Sequence, residues 1–454
     1  MKKRIIDLGA LYVGKVGALA VGFFLMPAYS LILGADQFAT VAFILSLVNA
    51  AVTLDFGMST IIGRDASDNL ISSEKKYKQL QAAITLVLIF YVGLFLLSLI
   101  YDVISNNNFD KSQLQIFSLI LILSSLIQNI AVSYLNGIKE FRVSGLFLFF
   151  SVTIRGVASL WVIKYYQNNI NSFMFVQASF ALLFSFVFIW LTAMYARNEN
   201  KNNPIKFNSV EIFIIMRKLA RKGLPLLFMG ISATLVMQLD KIALAHFAPK
   251  KVLSAYYLAF TFSTIPILAI AGPIKQYFQP HIVSHLTGQF GSYRKQSLNF
   301  FWSLVIFVAV PSAAGYPFLK FIIGIWLGEN ILINQVLVFS MVLLPAFAIG
   351  ALSYFPSVLL VVAEDYKFQS WFAIATSILF AIIVLLASAN NQFFIIPWLF
   401  ALYFLSVIIV FGLRCTKSQK ISHCLSDVLR QMPLATIVTA CAYGIGYVLS
   451  NLIN

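Results

Sequence analysis

Apolar runs of about membrane length, separated by short polar breaks, fill the chain from end to end. A helix needs ~20 mostly apolar residues to cross a bilayer. Stretches of that kind lie at 6–33, 38–63, 79–101, 113–137, 144–165, 171–195, 223–247, 252–278, 297–318, 333–363, 369–388, 393–413 and 431–452, the last interrupted by Met432-Pro433, Gly444 and Gly446. The pattern predicts an all-α polytopic membrane protein with a twelve-helix core and an extra C-terminal helix. The longest polar break, RNENKNNPIKFNSVEIFIIMRKLARK at 197–222, follows the sixth run. The predicted organisation is a six-helix lobe at 1–196, a cytoplasmic linker at 197–222 and a second six-helix lobe at 223–414. A basic loop and the additional helix occupy 415–454.

Charge sharpens this into a topology. Only 11% of residues are charged and 60% are hydrophobic, where soluble domains carry about 25% charged residues. With the N-terminus inside, 23 of the 32 Lys and Arg residues fall on the cytoplasmic side, 5 in outside loops and 4 within spans. Basic residues concentrate on the cytoplasmic side of membrane proteins, so the net charge of +16 reflects topology. It forms no basic domain for nucleic acid. The start, MKKRII, resembles a signal-peptide basic region, but the apolar run 8–33 is too long for a cleaved core and reads as an uncleaved first span. Three cysteines supply no disulfide framework. Each half holds an even number of spans, so an axis along the membrane normal can relate the two. Both halves open with a helix, a short outer turn (Gly34-Ala35-Asp36; Pro249-Lys250-Lys251) and a long helix.

Ionisable residues inside spans mark candidate sites, because each costs about 2.5–3.5 kcal/mol at mid-helix on insertion scales. They are Lys15, Asp55, Arg155, Asp240, Lys241 and Lys275, four basic against two acidic. That excess suits an anionic ligand such as a pyrophosphate. Ser144, Ser151, Arg155 and Ser159 share one helix face, either lining a cavity or forming a helix–helix seam with Arg155 paired to an acid such as Asp55. Lys15 sits on a glycine-rich first span with Pro27 near its outer end, as a headgroup contact or a snorkelling lysine. Thr234, Gln238 and Lys241 share a face. Asp240 projects about 100° away on a regular helix, and Asp55 and Asp240 suit either an ion-coupling site or a counter-ion. Lys275 follows Tyr257, Thr261 and Thr264 along span eight, in a cavity or as an inner-surface anchor. Asn49, Asn129, Ser151, Gln238 and Tyr257 are the predicted polar lining, which would hydrogen-bond sugar hydroxyls or glue helices together.

No chemistry of bond cleavage is visible. HIVSH at 281–285 lacks the glutamate of a zinc-protease motif, Cys415, His423 and Cys424 have no zinc spacing, and no phosphate-binding Walker loop is present. The outer loops are too short for a catalytic domain of a polymerase or ligase. No cofactor or metal is expected.

The stretch YSLILGADQFATVAFILSLVNAAVTLDFGMSTIIGRDAS (29–67), with its LGxxxF turn and LDFG followed by Arg64, resembles the opening of polysaccharide flippases of the O-antigen (Wzx) type. QLDKIALAHFAPKKVLSAYYLAF (238–260) is similar to the same family's seventh and eighth spans, with Asp240 at its span-seven aspartate. The resemblance covers about residues 1–415, and the terminal span departs from it. It implies a V-shaped pair of lobes in the multidrug, oligosaccharidyl-lipid and polysaccharide exporter superfamily. It also implies alternating-access transfer of undecaprenyl-pyrophosphate-linked oligosaccharide across a bacterial inner membrane. Lys15, Arg155, Lys241 and Lys275 would meet the headgroup. A monomer working beside a polysaccharide polymerase and chain-length regulator is the accompanying expectation. An ion-coupled multidrug or small-solute antiporter of the same superfamily is the alternative.

Overall fold

The computed structural model describes residues 2–67, 71–104, 112–199, 209–286, 292–363, 365–419 and 421–453. Among the described residues the regular secondary structure is entirely helical. The chain divides into two units, Met1–Gln238 and Leu239–Asn454, each packed chiefly against itself.

The first unit holds α1 (Lys2–Thr53), α2 (Met58–Ser67), α3 (Ser73–Ile104), α4 (Ser112–Gly137), α5 (Phe141–Tyr165), α6 (Ile170–Glu199) and α7 (Ser209–Met237). α1 is two helices joined at Gly34, whose φ of 74° and ψ of 166° place a turn where the sequence predicts one. The second unit holds α8 (Leu239–Phe247), α9 (Lys250–Leu286), α10 (Ser292–Leu304), α11 (Val310–Gly315), α12 (Leu319–Leu327), α13 (Ile333–Leu352), α14 (Tyr354–Val362), α15 (Tyr366–Ala389), α16 (Ile396–Thr416) and α17 (Ser422–Ile453). Among the described residues eleven helical segments are long and apolar enough to cross a membrane, or twelve if the bent pair in α7 counts as one span.

Span two, expected as one run over 38–63, breaks at 54–57. Phe56 and Gly57 adopt φ of 58° and 65°, the left-handed region that costs an L-residue such as Phe about 1–2 kcal/mol. Several polar groups at the break find partners. The Asp55 carboxylate (Oδ2) accepts from the Ser59 amide at 2.9 Å and so opens α2. The Leu54 amide donates to the carbonyls of Ala50 and Ala51. The Tyr91 hydroxyl donates to the Ala51 carbonyl at 3.1 Å.

α7 is moulded to this break. A Cβ at Gly223 would collide with the Phe56 carbonyl, one at Gly57 with the Leu226 side chain, and one at Gly230 with the Thr53 carbonyl. The hydroxyls of Thr53 and Thr234 hydrogen-bond to each other. α7 bends by 51° between Val210–Leu224 and Leu226–Met237. Its basic beginning, predicted as linker, is helical from Ser209 and tied to α3 by Lys78, which reaches Glu211 at 2.7 Å and Glu74 at 2.8 Å.

The terminal helix α17 runs through Pro433 without stopping, where the sequence suggested an interruption. It is docked in the second unit at two points. The Arg294 guanidinium forks onto both Asp427 oxygens at 2.6 Å, and Gly446 lies so close to the Ala314 carbonyl that no Cβ fits.

Gly57→Ala meets both a left-handed φ and the Leu226 side chain, costs of order 1–3 kcal/mol together. It is expected to lower the melting midpoint of the detergent-purified protein by several degrees. Gly22→Ala, with nothing within 4 Å of the added methyl, is expected to melt at or slightly above the wild-type midpoint.

Candidate functional site

The intramembrane charges fall into two kinds. Asp240 and Lys241 begin α8, immediately after the interruption at Gln238 that ends α7. Neighbouring residues on a continuous helix do not face each other. Here the Lys241 ammonium nonetheless curls back onto both Asp240 oxygens, at 3.0 and 3.1 Å. The Tyr256 hydroxyl donates to Asp240 Oδ2 at 2.6 Å, and the ammonium sits 3.3 Å from the centroid of the Phe260 ring. Asp240 is 0% and Lys241 1% exposed. Lys241 is therefore corrected: it is a neutralised group of the second unit's core and presents no charge to a ligand in this conformation. The 100° separation expected for the pair failed because a long lysine stem at a helix start has freedom that mid-helix geometry lacks.

Asp55 is the helix-opening group at the span-two break, 3% exposed, and the sequence-based pairing of Arg155 with Asp55 is absent. Arg155 lies half-buried in α5, and among the described residues it has no carboxylate partner. Its place is set by α1. The Tyr29 hydroxyl donates to the Gly156 carbonyl at 2.8 Å, and Gly156 admits the Leu25 side chain where a Cβ would collide. Tyr29 packs edge-on to Phe173 of α6 at 4.9 Å, and the Asn168 side-chain amide donates to the Ile32 carbonyl at 2.8 Å. α1, backed at Tyr29 by α6, thus holds the stretch of α5 bearing Arg155. Tyr29 was missed as a sequence candidate; its only signal is a tyrosine just after Pro27.

The serines expected to share a wet face with Arg155 do not. Ser144, Ser151 and Ser159 are buried. Ser151 bonds the Leu148 carbonyl, Ser159 the Arg155 carbonyl and Ser144 the Asn136 side chain. Ser151 is thereby corrected from cavity lining to internal satisfaction of α5, since a hydroxyl in a dry seam takes the nearest carbonyl. Tyr257 is likewise buried, 7% exposed, within the packed interior of the second unit. Asn49 is exposed, Asn129 and Gln238 half-buried, and the Gln238 side-chain oxygen is buried without a hydrogen-bond partner.

Lys275, in the second unit, is half-buried on α9. Its ammonium stands 4.8 Å from the centre of the Tyr354 ring, and it has no carboxylate partner among the described residues. The Lys15 side chain, and those of His281 and His285, lie outside the described residues.

Each unit also has an apolar pocket open on one side. One of about 940 Å³ in the first unit is lined by Phe43, Leu47, Phe90, Leu94 and Leu119, with Tyr91 and Gln115 among its few polar groups. One of about 570 Å³ in the second lies between α13, α17 and the α10–α11 segment. None of the candidate charges lines either cavity. No group of acidic, histidine or cysteine side chains among the described residues could hold a metal ion.

A family model described as "Polysaccharide biosynthesis protein" matches residues 7–284, more than half of the chain. No curated protein matches the sequence significantly. Among solved structures, one titled "Lipid II flippase MurJ, inward closed conformation" aligns with a TM-score of 0.70 at 13% identity, covering 99% of this chain and 98% of that one. A MATE structure in complex with MaL6 aligns at 0.60 and 13% identity over 90% and 95%. A MOP superfamily transporter from Pyrococcus furiosus aligns at 0.59 and 14% identity, also over 90% and 95%. At such identities the likeness is one of fold, and the fold predicted from the sequence is the one these transporters share.

A cysteine at an aqueous position is modified by a charged thiol reagent, and one in lipid or packed protein is not. In a Cys441→Ser background, which removes the one exposed native cysteine, Arg155→Cys is expected to label with a charged methanethiosulfonate. Ser151→Cys and Ser159→Cys are expected to stay unlabelled. An unreactive Arg155→Cys would place that position against acyl chains.

Proposed function

We propose, for a chain that belongs to the polysaccharide biosynthesis protein family, that it is a flippase carrying an undecaprenyl-pyrophosphate-linked oligosaccharide across a bacterial inner membrane by alternating access. The observation that carries this reading is Arg155. A guanidinium in mid-span is costly, and a purely structural one would be expected to hold a carboxylate. Arg155 holds none among the described residues, yet Tyr29 and Gly156 fix the backbone that bears it. An arginine positioned in this way is suited to gripping a phosphate through several parallel hydrogen bonds.

Lys275 is its counterpart in the second unit, a cation resting on a ring and open to an anion. Lys15 remains a proposed headgroup contact on the strength of its place in span one. Lys241 leaves the set because Asp240 already neutralises it. The sugars would hydrogen-bond exposed amides such as Asn49 and Asn129, and the polyprenyl tail would remain in lipid. The reading makes the protein a transporter and not an enzyme, with its N-terminus cytoplasmic and a polymerase and chain-length regulator acting after it.

The test is complementation of a deletion strain. Loss of the protein is expected to abolish a surface glycan while leaving sensitivity to cationic drugs unchanged; the reverse pattern would favour a multidrug antiporter. A hydrogen bond to a charged group is worth about 1.5–3 kcal/mol, or some ten- to hundredfold. Arg155→Ala is expected to cut glycan export by about that factor at normal expression, with Lys275→Ala adding to it and Arg155→Lys retaining part. Wild-type export by the Arg155→Ala/Lys275→Ala double variant would sink the headgroup assignment.

A further inference from the structure

The surroundings of Asp240 have the makings of a cation site. A buried carboxylate supplies charge, the Tyr256 oxygen lies 2.6 Å from that carboxylate, and the face of Phe260 supplies the quadrupole that attracts ammonium groups. Phe260 is itself held edge-on by Phe347 and Phe400, and Tyr256 by Phe339, so the walls are aromatic and dry. The guest in this box is the side chain of the next residue, with its ammonium on both carboxylate oxygens and on the ring.

We propose that Asp240, Tyr256 and the Phe260 face form a primary-ammonium site permanently occupied by Lys241, so that this carboxylate binds no exchangeable monovalent cation in the native protein. The charge an ion-coupled transporter would take from solution is here tethered to the chain. Three features argue for occupancy over coincidence. The ammonium satisfies the acid from 3.0 Å, the ring face lies at contact distance beneath it, and neither Asp240 nor Lys241 is open to water. A buried charge stripped of its partner is strongly unfavourable, so an ion could enter only after the lysine left.

The inference concerns the second unit alone and is read by melting, so it stands or falls independently of the glycan assay. The detergent-purified wild-type protein is melted in equal concentrations of sodium, lithium, potassium and choline chloride. The expected result is one midpoint in all four. Lys241→Ala removes the atoms of an n-propylammonium group, and it is expected to melt several degrees lower in choline chloride. Added n-propylammonium chloride should restore part of that loss, whereas tetramethylammonium, too bulky for both carboxylate oxygens, should not. The same amine should leave wild type and Asp240→Asn/Lys241→Met unmoved. No rescue of a folded Lys241→Ala overturns the proposal. Should Lys241→Ala not fold, the wild-type series decides. A midpoint indifferent to the cation supports the tethered guest, and a sodium- or lithium-specific rise that Asp240→Asn/Lys241→Met abolishes overturns it.

Discussion

An amide or carbonyl that loses its helical partner inside hydrocarbon has no water to turn to, and each unsatisfied group costs several kcal/mol. This one constraint governs where the helices of this protein interrupt themselves. The break at 54–57 contains a buried aspartate, Asp55, and the one at Gln238 is followed by another, Asp240. Asp55 repairs the first directly, by accepting from the amide that opens α2. Asp240 sits in the first turn of α8, where the exposed amides of a helix start favour negative charge. A tyrosine joins each break, Tyr91 through the Ala51 carbonyl and Tyr256 through the Asp240 carboxylate. The acids are first of all a requirement of broken helices, and any role in transport has to be compatible with that.

Much of the fold was readable because a bilayer leaves few options. Hydropathy located the spans to within several residues, and Gly34 and Pro249 marked their turns. The break at 54–57 was hidden. LDFG contains a glycine, but an apolar run reads as continuous whether or not its backbone is, and Phe56 carries no sign of a positive φ. The helical start of α7 was hidden for the opposite reason: its basic residues read as loop, while Lys78, far away in sequence, was needed to hold Glu211 and order it. At the site, helical periodicity put Arg155 and its serines on one face, and they do share one. Periodicity cannot say which side chain is long enough to leave that face. The serines end within their own helix, while the guanidinium stays half-exposed.

The two kinds of membrane cation follow from the same electrostatics. Lys241 has given up its water and is compensated by a carboxylate and a ring in contact. A pair of this sort contributes little net stability, yet breaking it is costly, so it persists as a fixed point of the second unit. Arg155 and Lys275 have no such acid among the described residues and keep partial exposure. A group left in that condition retains most of its capacity to attract an anion, because nothing nearby has already cancelled its field. The contrast separates a charge compensated within the fold from charges left without a carboxylate among the described residues, and span position alone did not draw that line.

Helices in a bilayer gain little from hydrophobicity toward one another, so close approach and hydrogen bonds have to hold them. Here the close approaches are backbone against backbone: Gly14 on Gly145 and Gly230 on Thr53 in the first unit, Gly446 on Ala314 in the second. Such seams do not slide. Moving either helix along its partner by even part of a turn would drive a side chain into the space a glycine leaves open, at once and along the whole contact. Gly156 against Leu25, locked further by the Tyr29 hydrogen bond, adds the same restriction beside Arg155. Motion that preserves these contacts must carry whole groups of helices together. Any motion that preserves them therefore moves the Arg155 backbone together with α1.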